Sequence, residues 1–279
     1  MSIVKKNKIY KNIVIFCVFF VLICLFFYIL KKIQEFKMSF EGFDTNIKKI
    51  FITFGAGGEN YIQAGERLKR QANDIKIFDE TILYTDEYLK SNDEFWGKHS
   101  EFIKNNKRGY GYWLWKPYII KKTMEKMKDG DVLLYADCGC EINIKRREEL
   151  LNDIKMVKDK YIIGSRTKHI EKKWNKMDLL VKLNANNDKY MNTIQNQAGV
   201  NLFLICDKTR DLVNEWYEIC CDYHLIDDSP SILPNTEDFI EHRHDQSVFS
   251  LLTKKYNIDI EKEISVEIVK NISGISIVN

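Results

Sequence analysis

Proline is nearly missing from this chain: Pro117, Pro230 and Pro234 are the only three in 279 residues. With no low-complexity tract and no internal repeat, that excludes a proline-rich linker between domains. A large charge of one sign is also lacking. Lys and Arg number 43 against 40 Asp and Glu, spread along the chain for a net charge of +3, so nothing demands nucleic acid. Cysteine provides no disulfide framework. Cys17 and Cys24 fall in an apolar run, and Cys138, Cys140, Cys206, Cys220 and Cys221 form an odd set. A zinc site from Cys-x-Cys plus Cys-Cys is disfavoured, because strand alternation turns Cys138 and Cys140 away from Asp137, onto a face where small buried thiols fit. Gly55-x-Gly57-Gly58 lacks the rest of G-x-G-x-x-G and an acidic ribose partner, which excludes a dinucleotide fingerprint.

What is there begins with Ile13 to Leu30, 18 unbroken apolar residues. At helical rise they span roughly 27 Å, enough for a thin bilayer. The run is longer than a signal-peptide core and leads into Lys31-Lys32 without a cleavage site. It reads as an uncleaved signal-anchor. Lys5, Lys6, Lys8 and Lys11 precede it, against Lys31, Lys32 and Lys37 after it, a narrow bias towards a cytoplasmic N-terminus and a type II protein. The expected organisation is a cytoplasmic segment 1–12, a transmembrane helix 13–30, a stem 31–47 and one globular domain 48–279. A sequon at Asn271-Ile272-Ser273 is compatible with a lumenal domain.

Within that domain, periodicity places strands at 50–54, 75–84, 132–135, 161–164 and 197–205, and helices at 60–72, 92–105, 112–128, 146–158, 207–223 and 244–255. Alternating strands and helices imply an α/β fold with a mostly parallel sheet covered on both faces.

Three constellations carry chemistry. Asp137 follows the apolar strand Val132 to Tyr135 and ends it on a carboxylate, where α/β sheets bind ligands. If extended geometry continues, Asp137, Gly139 and Glu141 share a face. Gly139 leaves room for a diphosphate, and the carboxylates suit Mn2+ or Mg2+ shared with phosphate. A turn cap is the plainer role for Asp137. Next, Arg108, Trp115 and Lys116 lie in a segment of cations and aromatics: the cations neutralise phosphate, and the rings stack on a base or sugar or simply pack. Last, His244 and Asp245 in Glu241-His-Arg-His-Asp-Gln-Ser247 offer a metal ligand and a general base, or a helix cap. Thr53 and Gly55, ending the first strand, are placed to touch base and ribose. Arg67, on the next helix, either reaches the same pocket or forms a surface salt bridge, and Asp178 is a candidate near an acceptor.

The order of first strand, Arg/Trp/Lys segment and Gly130-Asp131-x-x-x-Tyr135-x-Asp137 resembles GT-A type glycosyltransferases. It is most similar to the family with a DxD-containing sugar-binding region, found in type II Golgi enzymes and in bacterial and giant-virus relatives. The strand around Asn196-Gln197 and the segment Glu241–Ser247 share in the likeness, which covers roughly residues 48–255. The resemblance implies a GT-A mixed sheet flanked by helices, beside the one N-terminal transmembrane helix. It implies a nucleotide-sugar donor and a glycan, glycoprotein or glycolipid acceptor, with the domain facing the ER or Golgi lumen in a eukaryote and membrane-anchored in a bacterial or viral setting. It also implies roles: Asp137 and Asp245 catalytic; Thr53, Gly55, Arg67, Arg108, Trp115, Lys116 and Gly139 on the donor; Asp137, Glu141 and His244 on the metal. The sequence departs from the pattern where the motif's second acid should stand, since that position is Gly139. Two other readings stay open: a nucleotidyltransferase, and an inactive glycan-binding domain.

Overall fold

The computed structural model describes residues 23, 25–31, 47–260 and 263–278. The chain divides into two units, 1–46 and 47–279. In the first, residues 25–31 are helical. The segment 1–12 and most of the expected span and stem lie outside the described residues. Among those described, no helix is long and apolar enough to cross a membrane.

The second unit is built on a five-stranded sheet. Its strands are β1 (Lys49–Gly55), β2 (Glu80–Thr85), β3 (Val132–Ala136), β4 (Ile162–Ile163) and β7 (Val200–Leu204), in the order β2-β1-β3-β7-β4. β1 runs parallel to β2 and β3, whereas β7 is antiparallel to both β3 and β4. The sheet is therefore mixed rather than mostly parallel. The reason is local: a short antiparallel pair, β5 (Arg166–Ile170) and β6 (Ile194–Asn196), turns the chain so that it re-enters the sheet from the opposite end.

Alternation divides the apolar residues between two faces. Ile50, Ile52, Phe54, Leu133, Tyr135 and Phe203 pack on one side; Phe51, Val132, Leu134, Ala136, Val200 and Leu202 pack on the other. The helices of ten residues or more in this unit are α1 (Glu59–Asp74), α2 (Asp93–Asn105), α3 (Trp115–Met124), α4 (Arg147–Lys160), α5 (Asp207–Cys220) and α6 (His244–Lys255). Trp115, Tyr118, Trp216 and Phe249 bring α3, α5 and α6 to the first face. Leu68, Ala72, Leu150 and Ile154 bring α1 and α4 to the second. Cys140 is buried in the second core, and all five described cysteines are free thiols.

The expected helix over 112–128 is shorter and has an unusual lead. Gly109 to Trp113 all have positive φ: 57°, 54°, 86°, 51° and 61°. Tyr112 and Trp113 N–H bond back to Arg108 and Gly109 carbonyls at 2.8 and 3.0 Å. This is a single turn of left-handed helix, costly for L-residues at about 1–2 kcal/mol each. Gly109 is required on steric grounds, because a Cβ there would meet the Trp113 ring at 2.3 Å.

Candidate active site

β1 and β3 end at the same edge of the sheet, and β7 begins there. α3 and α6 direct their N-termini to this edge, so two helix dipoles favour an anion. Lys116, in the first turn of α3, is only 3 % exposed. Its Nζ lies 3.2 Å from Asp137 Oδ1, just past β3, and 3.2 Å from Asp245 Oδ2, in the first turn of α6. Tyr135 donates its hydroxyl to Asp137 Oδ1 at 2.5 Å. Gly199 leaves room for the Asp137 carboxylate as it stands, since a Cβ there would come within 2.8 Å of Asp137 Oδ2 and displace it. Both ends of α6 are fixed: the Trp216 indole donates to the Asp245 carbonyl at 3.0 Å in the first turn, and the Asn196 amide donates to Thr253 at 2.8 Å in the last.

The electrostatics follow from burial. Desolvation works against the Lys116 ammonium, but Asp137 and then Asp245 outweigh it and raise its pKa. Asp245 is pushed up to about 6, because burial and the nearby Asp137 charge exceed the help from Lys116. Asp137 keeps 41 % of its side chain exposed and faces a cleft of about 510 Å³. That cleft is also lined by Arg108, Trp113, Gly139, His244 and Lys270. An adjoining pocket of about 240 Å³ is walled by Phe54, Tyr110, Trp113 and Trp115. Trp115 is stacked on Phe54 at 3.8 Å and anchored through its indole N–H to the Gly109 carbonyl. His244 has a positive φ of 55°, donates from Nδ1 to the Ile226 carbonyl at 2.7 Å and sits under Trp113. Trp113 and His244, two non-glycine residues in sparsely populated backbone geometry, thus border one cleft, and Tyr110 borders its neighbour; such strain gathers at functional sites.

The sequence-expected residues separate into two sets. Asp137, Asp245, Lys116, Arg108, Gly139 and His244 meet at the cleft, and Trp115 at its smaller neighbour. Thr53 does not reach either. Alternation puts it on the opposite face from Phe54, fully buried against α1, and Phe54 lines the pocket in its stead. Gly55 serves close packing, as a Cβ there would meet the Tyr61 carbonyl oxygen at 2.7 Å. Arg67 is turned away from any ligand. Its guanidinium is buried and donates to the carbonyls of Cys138, Cys140, Asn271 and Ser273, clamping the loop after Asp137 to the C-terminal segment.

Glu141 is likewise drawn off. The strand stops at Asp137, and a turn closed by Cys140 N–H to the Asp137 carbonyl breaks the alternation that would have paired the two acids. Glu141 is wholly buried, accepting from Gln71, Asn271, Ser276 and the Ile277 and Val278 N–H groups. Burial raises its pKa, but these hydrogen bonds outweigh that and bring it down to about 2. Asp178 accepts from His224, Ser231, Ile232 and Leu233 and so anchors the 224–233 loop. The sequon residue Asn271 is buried, with its amide nitrogen donated to Glu141 and to the Ile275 carbonyl. Lys270 and Ile272 line the cleft from a C-terminal strap whose one motif, the sequon, gives no sign of a place at a site.

Among the described residues, no three His, Cys, Asp or Glu side chains gather as a metal cage. With Glu141 committed elsewhere and Asp245 held by Lys116, the donor set suits an ion shared with phosphate through Asp137, not one enclosed by protein alone.

No family model matches this chain, and neither does any curated protein. Among solved structures, it is similar to the crystal structure of mouse xyloside xylosyltransferase 1 in its apo form. The TM-score is 0.40 at 10 % identity, over 77 % of this chain and 84 % of that one. At those values neither a fold name nor a residue's role transfers.

Proposed function

We propose that this chain is a glycosyltransferase, moving a sugar from a nucleotide-sugar donor to a hydroxyl of a glycan, glycoprotein or glycolipid. The observation that carries the reading is the buried Lys116 ammonium, held between Asp137 and Asp245 on the floor of a cleft at the carboxyl edge of β1 and β3. The chemical demand is departure of a nucleoside diphosphate. A preorganised, water-excluded cation with two helix N-termini supports the charge that develops there. The aromatic pocket beside it fits a base by stacking. Asp137, the more exposed carboxylate, faces the donor. Asp245 is buried, which favours its holding Lys116 in place over taking the acceptor proton directly. A bound Mg2+ or Mn2+ would be held by Asp137 and supply further neutralisation of the diphosphate. Membrane attachment through residues 13–30, with the domain on the far side from the N-terminus, belongs to the same proposal.

The test uses the full chain in mild detergent with a panel of nucleotide-sugars, with and without Mn2+, scored for nucleoside diphosphate release. At least one donor should turn over, and Asp137→Asn should lower the rate about 10²-fold or more. Pyrophosphate release from nucleoside triphosphates, with no donor turned over, would replace this reading by nucleotidyl transfer. Unchanged turnover in a folded Asp137→Asn protein would remove it.

A further inference from the structure

Two amide side chains line the cleft, those of Gln197 and Gln246. Gln246, in the first turn of α6, is the outer end of a buried polar file. Its Nε2 donates to Gln195 Oε1, in β6, at 2.8 Å. Gln195 is fully buried and directs its own amide nitrogen elsewhere, to Glu171 Oε2 at 3.2 Å and to Ser247 Oγ at 3.4 Å. Glu171, just past β5, is also fully buried. Ser250 and Lys254 donate to its Oε1, and Asn175 joins Gln195 on its Oε2. Buried amides and carboxylates persist where their partners are in place, and Glu171, Gln195 and Ser247 all have theirs.

The file fixes which way round the Gln246 amide sits. The oxygen and nitrogen of an amide are nearly the same shape, so only their partners tell them apart. The Lys254 ammonium and the Asn175 amide nitrogen can only donate, which makes the Glu171 carboxylate an acceptor. Ser247 gives its hydroxyl proton to the Trp174 carbonyl at 3.0 Å, so it too accepts from Gln195. Gln195 therefore presents nitrogen to both and oxygen to Gln246, which answers with nitrogen. Gln246 keeps one N–H, and its Oε1 has only a long contact of 3.5 Å with the Ala198 N–H. Its side chain is half-buried and lines the cleft, so these two groups are what it has left for a ligand. Their place is set as well. Ala198 precedes Gly199, whose carbonyl accepts the Asp137 N–H at 2.8 Å and which packs against the Asp137 carboxylate.

Resting on the transferase reading, we propose that Gln246 reads the sugar being transferred, and that Gln195 and Glu171 are positioning residues that hold its amide one way round. With a diphosphate at Lys116 and Asp137, the sugar bonded to it lies beside Gly199 and so beside this amide. An amide offers a donor and an acceptor side by side. Neighbouring hydroxyls of a pyranose match them: one takes the N–H, and the next donates to Oε1. The ligand class is a pyranose with two free adjacent hydroxyls. A site built to bond a hydroxyl rejects the analogue that lacks it, because the site's own polar groups are then left unpaired.

The test is isothermal titration calorimetry on the full chain in mild detergent. The probes are uridine and guanosine diphosphate hexoses and their monodeoxy forms, with the free nucleoside diphosphates as references. Loss of one of the two contacted hydroxyls should weaken binding to the parent about tenfold. Gln246→Met should weaken the intact conjugate by about the same factor and bind intact and deoxy forms alike. Its affinity for the free nucleotide should stay within about twofold of the parent, which also shows that it is folded. Gln195→Met frees the Gln246 amide to turn and should cut the parent's discrimination about threefold, with nucleotide affinity kept. Equal losses for nucleotide and conjugate in Gln246→Met, or full discrimination retained by it, would overturn the proposal. So would binding of a free nucleotide with no hexose conjugate bound. Undiminished discrimination in Gln195→Met would remove the positioning role. If conjugates bind as expected and none is ever turned over, the transferase reading fails and the sugar site stands. If donors turn over and Gln246→Met still discriminates, the converse holds.

Discussion

Replacing Lys116 with methionine keeps the length of the stem and removes the charge. Asp245, 5 % exposed at its side chain, is then left buried without its cation, and Asp137 keeps its contact with water. Breaking a buried pair from one side costs about 3–5 kcal/mol. Asp245 escapes part of this by taking a proton: its pKa is already about 6 with Lys116 present, and it rises further without it. The loss should therefore be about 3 kcal/mol at pH 8, and should shrink as the pH falls towards 6, below which both proteins carry a protonated Asp245. Adding Asp245→Asn removes the stranded charge and should return about 2 kcal/mol. Activity should not follow stability. On the proposed function both variants lack the ammonium that would face a leaving diphosphate, so donor turnover should stay about 10²-fold or more below the parent. Urea denaturation read by tryptophan fluorescence at pH 5.5 and 8, beside nucleoside diphosphate release, separates the two effects. A single variant as stable as the parent at pH 8, or a double variant less stable than the single, would refute the reasoning.

Glu141→Gln leaves the side chain's shape but turns one acceptor oxygen into a donor facing Ser276, Asn271 and backbone N–H groups. It should cost about 2 kcal/mol and expose residues 263–278 to limited proteolysis; a parent-like cleavage rate would return Glu141 to an incidental role. Acid sensitivity should come in two stages. Burial, then Lys98, lowers His99 to about 4, so its neutral form supports the fold fully above pH 6.5, and that support is lost as the pH falls towards 4. The slope is about 1.4 kcal/mol per pH unit in that window. Glu141 and Asp178, each depressed to about 2, add theirs only above their ordinary carboxylate values and lose it below about pH 4. His99→Gln should flatten the first stage alone in pH-dependent urea titrations; an unchanged profile would assign that stage elsewhere.

The sheet was legible wherever its strands were apolar and bounded. Val132 to Ala136 and the helix over 244–255 sit where the pattern put them, because burial on both faces leaves an unambiguous run. The direction of β7 was not legible: Val200–Leu204 reads the same whichever way it runs, and only the β5–β6 detour sets it. Local spacing picked out Asp137, Lys116 and Asp245 singly, but could not show that one ammonium joins them. It misplaced Thr53 by one step of alternation and Glu141 by one turn, since both assignments assumed regular strand where the strand was packed or already over. Arg67 and Lys270 depend on a contact between the chain's middle and its C-terminal strap, and no local pattern encodes such a contact.

The left-handed turn from Gly109 to Trp113 bears on the order in which the protein assembles. Its backbone is uphill on its own, so it cannot serve as a folding nucleus. It becomes affordable only once Phe54, Trp115 and Ile103 have packed around it, which requires β1, α2 and α3 to be in place. The mouth of the cleft should thus form late on the folding path, and a lesion there should raise the unfolding rate more than it slows folding.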